Sequence, residues 1–261
     1  MYDFSFVKPS TVADAVTALA SEDAQALGGG QTLIPTMKQR LASPEKLVSL
    51  TGIADMQGVS QSGGALTIGG ATTHATVAAQ AGGFAGLEIL AGGIGDPAVR
   101  NRGTIGGSLA NNDPAACYPS AALATGATIV TNTREIAADD YFQGMFETAL
   151  EEGEIITAVR MPIPEASNYQ KFEQPASRFA LVGVFVAKYA SGVRVAVTGA
   201  SEGGVFRWSE AEAALGANFS ADALSGLSVA ADDMIEDLHG SKAYRAHMVK
   251  VMTGRAVAAA G

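Results

Sequence analysis

Cysteine is almost absent from this chain of 261 residues, with Cys117 standing alone. One thiol cannot close an internal disulfide, complete a Cys-based zinc site or hold an iron–sulfur cluster. Any such cluster that the protein works with belongs to another chain. Basic residues are also scarce. Lys and Arg number 17 against 26 Asp and Glu, a formal charge of −9. That balance argues against a nucleic-acid partner, whose phosphates are gripped mainly by Lys and Arg. It does not exclude a small anion, which backbone N–H groups can hold without a cation. No apolar run approaches the roughly 18 residues that cross a membrane. The opening MYDFSFVKPS lacks the basic start and apolar core of a secretory signal. The expectation is a cytoplasmic chain with no transmembrane segment. Two familiar nucleotide signatures are missing too: no G-x-G-x-x-G joins a strand to a helix, and there is no G-K-[ST].

Glycine is plentiful, at 31 residues. Gly28-Gly29-Gly30-Gln31-Thr32 follows a short apolar segment and precedes a helix-like run from Ile34 to Leu41. A strand, a bare backbone loop and a helix start make a ready anion site, because unpaired N–H groups point outward. The same chemistry recurs about 75 residues later in Gly103-Thr104-Ile105-Gly106-Gly107-Ser108, followed by Asn111, Asn112 and Asp113. Arg100 and Arg102 precede it, placed to balance phosphate charge or to pair with Asp96. Two donor-rich loops suit an extended ligand with a central diphosphate, such as a dinucleotide cofactor. Two unrelated tight turns remain the alternative at this point.

Along the chain, residues 3–7, 24–27 and 46–50 read as strands. Helices at 11–21 (with Ser10 as cap) and 34–41 separate them, which predicts a small parallel β-α-β-α-β unit. Short strands and hairpin signals begin near residue 52. Helices are expected at 73–81, 86–91 and 121–125, and strands at 127–131 and 154–161. The stretch from Gly92 to Pro119 has little periodicity. Its Ile94, Val99, Ile105 and Leu109 suggest an ordered loop that touches a ligand. Beyond Pro162 and Pro164, strands at 169–173, 181–189 and 193–197 form a meander, and helices follow at 209–215, 221–229 and 241–260. His74 reads as a cap or surface residue, with a donor near the ligand as the sharper alternative.

GGGQTLIPTMKQRL and IGDPAVRNRGTIGGSLANNDPA, in that order, resemble the two flavin motifs of the medium subunits of molybdenum hydroxylases. This group includes the aerobic carbon monoxide dehydrogenase medium subunit and the xanthine dehydrogenase flavin domain. GEIITAVRMP, KFEQPASRFALVGV and DLHGSKAYR match in kind and order, so the resemblance spans nearly the whole chain. It implies an α+β protein of the PCMH-type FAD-binding fold: two α/β subdomains, at 1–52 and 53–165, then a C-terminal antiparallel sheet with helices at 166–261. It implies FAD, with Gly28, Gly29, Gly30, Gln31, Thr32 and Leu33 holding the diphosphate together with Thr104, Gly106, Gly107 and Ser108. Ile94 would pack near the flavin or adenine, Asp113 would hydrogen-bond the cofactor, and Ile156 would contact it from its strand. Cys117 stands where many members carry Asp, Glu173 where many carry a basic residue, and Phe179 where relatives often have Tyr. Phe can still stack on a flavin but cannot hydrogen-bond to it.

The role implied is electron transfer. A large subunit holds a molybdenum cofactor, a small subunit carries [2Fe–2S] clusters, and the flavin subunit passes electrons to NAD⁺, a quinone or oxygen. The assembly implied is a dimer of heterotrimers. Rival readings are a stand-alone FAD-dependent oxidoreductase and a scaffold subunit that has lost FAD. On the flavin reading, Gly29→Val and Gly106→Val should each abolish FAD retention by placing a branched side chain in the diphosphate position.

Overall fold

The computed structural model describes residues 1–260. The first elements are β1 (Ser5–Val7), α1 (Val12–Leu19), β2 (Ala24–Leu27), α2 (Leu33–Lys38) and β3 (Lys46–Ser49). They form the expected parallel sheet in the order β1-β3-β2. The helix cap is Thr11 rather than Ser10: its side chain accepts from the Asp14 N–H at 3.1 Å. Ala15, Val48, Ile53, Met56, Ala71 and Ile155 form the core beneath this sheet.

A second, antiparallel sheet follows in the order β4-β5-β10-β6-β7. Its strands are β4 (Val59–Ser62), β5 (Ala65–Gly69), β6 (Thr128–Thr131), β7 (Glu135–Ala137) and β10 (Ile156–Pro162). Gly63 and Gly64 join β4 to β5 with φ of 57° and 77°. Two consecutive left-handed residues define the tight hairpin turn that matches strand twist. Between β5 and β6 lie α3 (His74–Gln80), α4 (Ala85–Gly92), α5 (Pro97–Arg100), α6 (Ile105–Asn111) and α7 (Tyr118–Thr125). A short helix α8 (Ala138–Tyr141) and a small hairpin of β8 (Phe142–Gly144) and β9 (Glu147–Thr148) complete this part.

The third sheet is the meander β11 (Ala166–Glu173), β12 (Ala180–Tyr189), β13 (Gly192–Ser201) and β14 (Gly204–Arg207). Strand alternation sends Val182, Val184 and Val186 to one face, against α9 (Ser209–Ala217) and α10 (Lys242–Ala260). Phe185 and Ala187 go to the other face, against the helices of the middle part. Both faces are covered, which explains why β12 reads as a nearly unbroken apolar run. No helix of the described residues is long and apolar enough to cross a membrane.

Two expectations fail here. The stretch from 92 to 119 is broken up by short helices rather than forming one long loop. Asp96 caps α5 by accepting from the Val99 N–H, and Thr104 caps α6 by accepting from the Gly107 N–H. These helices are short and rich in small residues, so hydrophobic periodicity could not reveal them. Ile105 and Leu109 belong to the core rather than to a ligand. The helix expected at 221–229 shrinks to a single 3-10 turn at Ala221–Leu224. Gly226 follows the cap residue Ser225, at the backbone-entropy cost that glycine carries in a helix.

One ion pair beside the second sheet, between the exposed Arg134 and a Glu154 side chain that is 2% exposed, makes the fold sensitive to acid. Glu154 receives Arg134 Nε at 3.0 Å, Thr131 Oγ1 at 2.6 Å, Thr133 Oγ1 at 2.9 Å and the Glu151 N–H at 2.8 Å. These bonds, led by the guanidinium, lower its carboxyl pKa from 4.5 to about 2. A depressed carboxyl contributes stability that is complete above its unfolded value and is lost as pH falls through the folded one. Glu154→Gln is therefore expected to cost on the order of 2 kcal/mol at neutral pH. The gap between the two proteins in denaturant titrations should close as pH falls from 4.5 towards about 2. A gap that stays constant across that window would show that the charge is not what stabilises.

Candidate cofactor cleft

The chain-initial sheet and the middle part meet at a cleft of about 580 Å³. Gly28, Gly29, Gly30, Gln31, Thr32 and Leu33 line it from the loop after β2. Thr104, Gly106, Gly107 and Ser108 line it from the start of α6. Ile94, Asp113, Cys117, Ile156 and Phe179 complete the predicted set, so every candidate residue borders this one space.

The two glycine loops do different work. Among the described residues, the N–H groups of Gly29, Gly30, Gln31 and Thr32 donate to no protein acceptor. Gly30 has φ of 71°, which turns the chain into α2. This is a nest of free donors ahead of a helix start, chemistry that suits a diphosphate. The second loop has spent most of its donors. Ile105 N–H goes to Thr72 O at 3.1 Å and Gly106 N–H to Gly70 O at 2.9 Å. Thr104 Oγ1 is taken by the Gly107 N–H at 3.2 Å. What remains toward the cleft is the bare, exposed Gly107 and the half-buried Ser108.

The glycines also meet each other. A Cβ on Gly29 would lie 2.0 Å from Arg102 O and 2.6 Å from Gly103 Cα. A Cβ on Gly106 would lie 2.5 Å from Gly70 O. The expectation that side chains there would fill the diphosphate position is corrected: they would strike backbone and force the loops apart. Gly107 is the least crowded of the three, since a Cβ on it would meet no backbone and only the Thr104 side chain, tightly, at 3.0 Å from Oγ1.

The other end of the cleft is apolar, with Ile94, Cys117, Ile156 and the half-exposed Phe179. Arg100 supports it, donating from one nitrogen to Ile94 O and Gly95 O at 2.9 Å each. That arginine braces the loop rather than pairing with Asp96. Asp113 accepts from the Ala115 N–H at 2.8 Å, which folds the segment leading to Cys117. Asn112 is spent on Gly144 O and Glu147 O and sits in the left-handed region. The segment is tied from behind by β13: Thr198 Oγ1 bonds Pro114 O and Ala116 O, and Gly199 N–H bonds Pro114 O at 2.7 Å.

Lys171 escaped sequence reasoning here, while His74 lies at the cleft, where the alternative of a donor near the ligand would put it. His74 is neither a cap nor a surface residue. It is buried at the cleft with Nδ1 unpartnered, and its ring lies 5.3 Å from that of Tyr118. Burial, with Arg100 adding to it, lowers its pKa to about 4, so it is neutral at ordinary pH. Lys171 carries its side chain 7% exposed behind the apolar end. Its Nζ donates to Gly93 O and Arg178 O at 2.7 Å each, the carbonyls just before Ile94 and Phe179. The only available signal was a lysine inside a β-run, which sequence alone assigns to solvent.

The residues present suit FAD: free backbone donors at one end, an exposed glycine between, and an apolar, part-aromatic wall at the other. Among the described residues no cluster of His, Cys, Asp or Glu could hold a metal.

Comparison with known proteins agrees. The family described as the FAD binding domain in molybdopterin dehydrogenase matches residues 2–164. The carbon monoxide dehydrogenase medium chain of Afipia carboxidovorans is 34% identical, over 97% of this chain and 95% of that one. The nicotine 6-hydroxylase medium subunit of Paenarthrobacter nicotinovorans is also 34% identical, over 98% of this chain and 96% of that one. A chain of the reconstituted CO dehydrogenase from Oligotropha carboxidovorans superposes with a TM-score of 0.88 at 32% identity, covering 100% of this chain and 99% of that chain. The protein belongs to the FAD-binding medium subunits of the molybdenum hydroxylases, and is an FAD-binding oxidoreductase subunit.

Proposed function

We propose that the chain relays electrons, taking them from [2Fe–2S] clusters on a small partner subunit and passing them to NAD⁺, a quinone or oxygen. A large partner subunit with a molybdenum cofactor oxidises the substrate, in a cytoplasmic dimer of such heterotrimers. The observation that carries this reading is a cleft with the right donors for FAD in a chain whose lone cysteine can hold no cluster. FAD, when bound, supplies the exchange between one-electron and two-electron carriers. This chain's residues bind and orient: the Gly29–Thr32 N–H groups grip the diphosphate, with Gly28 and Leu33 shaping that loop. Thr104, Gly106, Gly107 and Ser108 form the opposite side. Ile94, Asp113, Cys117, Ile156 and Phe179 surround the ring, and Phe179 shields it from water. Each sheet keeps to one of three stretches of sequence, in keeping with units at 1–52, 53–165 and 166–261.

The substrate does not follow from this subunit. Relatives of equal identity are named for carbon monoxide and for nicotine. The purified chain is expected to bind one FAD non-covalently, released by heat; a protein that stays colourless after reconstitution with FAD removes the reading. The relay itself is tested by tagging the chain in its source and purifying it without oxygen. Molybdenum, iron and flavin should co-purify in constant ratio, and the oxidised-flavin band should bleach once the clusters are reduced. Flavin that stays oxidised beside reduced clusters would refute the relay. A chain that turns over a substrate with no partner would favour the stand-alone oxidoreductase.

A further inference from the structure

The wall at the apolar end holds a charge that the binding reading does not use. Lys171 Nζ lies 3.9 Å from Cys117 Sγ, and Cys117 lines the cleft in front of it. The two carbonyls that Lys171 holds are neutral. Among the described residues its one carboxylate neighbour is Glu173 Oε2, 3.8 Å away on a side chain 48% exposed. A carboxylate so open to water is strongly screened and offsets the ammonium weakly. On the cleft side nothing offsets it, because burial raises the Cys117 pKa and keeps the thiol neutral. Charges separated by a low-dielectric wall act on each other far more strongly than in water.

We propose that Lys171 is a positioning residue that raises the reduction potential of the bound flavin, its charge reaching the ring because the wall residue Cys117 is uncharged. This rests on the reading that the flavin ring, rather than the adenine, lies against Ile94, Cys117 and Phe179. Reduction adds electrons to the ring, so a nearby cation favours the reduced form. The same nitrogen fixes the backbone just before Ile94 and Phe179, which holds the ring at a set distance from the charge.

The test varies the charge without touching those two carbonyl bonds. Cys117→Asp places a carboxylate beside the ammonium, Cys117→Ser is the uncharged reference of similar size, and Glu173→Gln removes the exposed partner. FAD content is measured first, by heat release, on the full chain. Midpoint potentials are then read in anaerobic dithionite titrations against a dye of known potential. Cys117→Asp should lower the reduced-to-oxidised ratio about tenfold at a fixed potential relative to Cys117→Ser, a shift of about 30 mV for a two-electron couple. Glu173→Gln should move the ratio the other way, by a few fold. Equal potentials in fully loaded Cys117→Asp and Cys117→Ser overturn the proposal. So does a Glu173→Gln potential at or below that of the unaltered chain, and this variant decides alone if Cys117→Asp retains no flavin. Unaltered chain that holds no flavin overturns the binding reading instead, so the two failures are distinct.

Discussion

Replacing Gly29 with alanine is expected to strip the protein of FAD and to destabilise it without any ligand present. One methyl group is enough because its position is already taken: Arg102 O would be 2.0 Å away, Arg102 C 2.4 Å and Gly103 Cα 2.6 Å. All three are main-chain atoms, so no side chain can swing aside. The loops must separate, which dislodges the N–H nest at Gly29–Thr32. Overpacking of this kind costs about 1–3 kcal/mol where neighbours can yield, and a backbone contact sits at the upper end. Gly107→Ala is the matched control. Its Cβ has only Thr104 Oγ1 nearby, at 3.0 Å, and alanine favours a helix by about 1 kcal/mol over glycine. The apo-protein should keep its melting temperature, while FAD affinity falls because the methyl group projects into the cleft. Flavin content and apo-protein thermal unfolding, measured on both variants, separate the two roles. Equal melting temperatures for Gly29→Ala and the unaltered chain would mean that the loops do not pack this closely.

That contrast marks how far the sequence could be read. The parallel sheet, the glycine loop after β2 and the meander were visible because strand alternation and turn chemistry are local. Gly28-Gly29-Gly30 was read as a loop between a strand and a helix, and it does join β2 to α2, but its glycines looked alike. Whether a missing Cβ faces a ligand or another backbone is decided by what packs against it, and for Gly29 that is Arg102, more than 70 residues away. The same limit hid the donors: Gly106 N–H looked free until Gly70 O was placed beside it. Lys171 was missed, and His74 left between a surface residue and a donor near the ligand, for a related reason. Each is a polar residue drawn into the interior by contacts from other segments, and composition places such residues outside. The helices α5 and α6 were missed because Asp96 and Thr104 define them by capping, while their small residues carry no hydrophobic period.

Arg245 ties these distant parts together, and removing it should reach the cleft. Its side chain is buried on α10, in the DLHGSKAYR segment. It donates to Leu181 O and Gly199 O at 2.8 Å each and to Asp237 Oδ2 at 2.7 Å. Gly199, at φ of 81°, in turn holds Pro114 O, and Thr198 beside it holds Ala116 O. The chain of bonds therefore runs from the C-terminal helix through β13 to the segment that carries Asp113 and Cys117. Arg245→Met keeps most of the apolar stem but leaves two buried carbonyls without a donor. Each such group costs about 1–3 kcal/mol, and a buried guanidinium adds the loss of its ion pair. The expected total is about 3 kcal/mol, because Asp237 is 38% exposed and regains water. A smaller loss of FAD affinity should accompany it, as the Asp113–Cys117 segment loosens from β13. Asp237→Asn separates the two effects. It weakens the ion pair, leaves both carbonyl bonds in place, and should cost under about 1 kcal/mol with FAD affinity unchanged. Denaturant titration and FAD binding, run on both variants, give the answer. Arg245→Met that loses stability yet binds FAD as tightly as the unaltered chain would show that the cofactor segment stands without β13. Weakened binding in Arg245→Met alone would show that the C-terminal sheet is part of what holds the flavin.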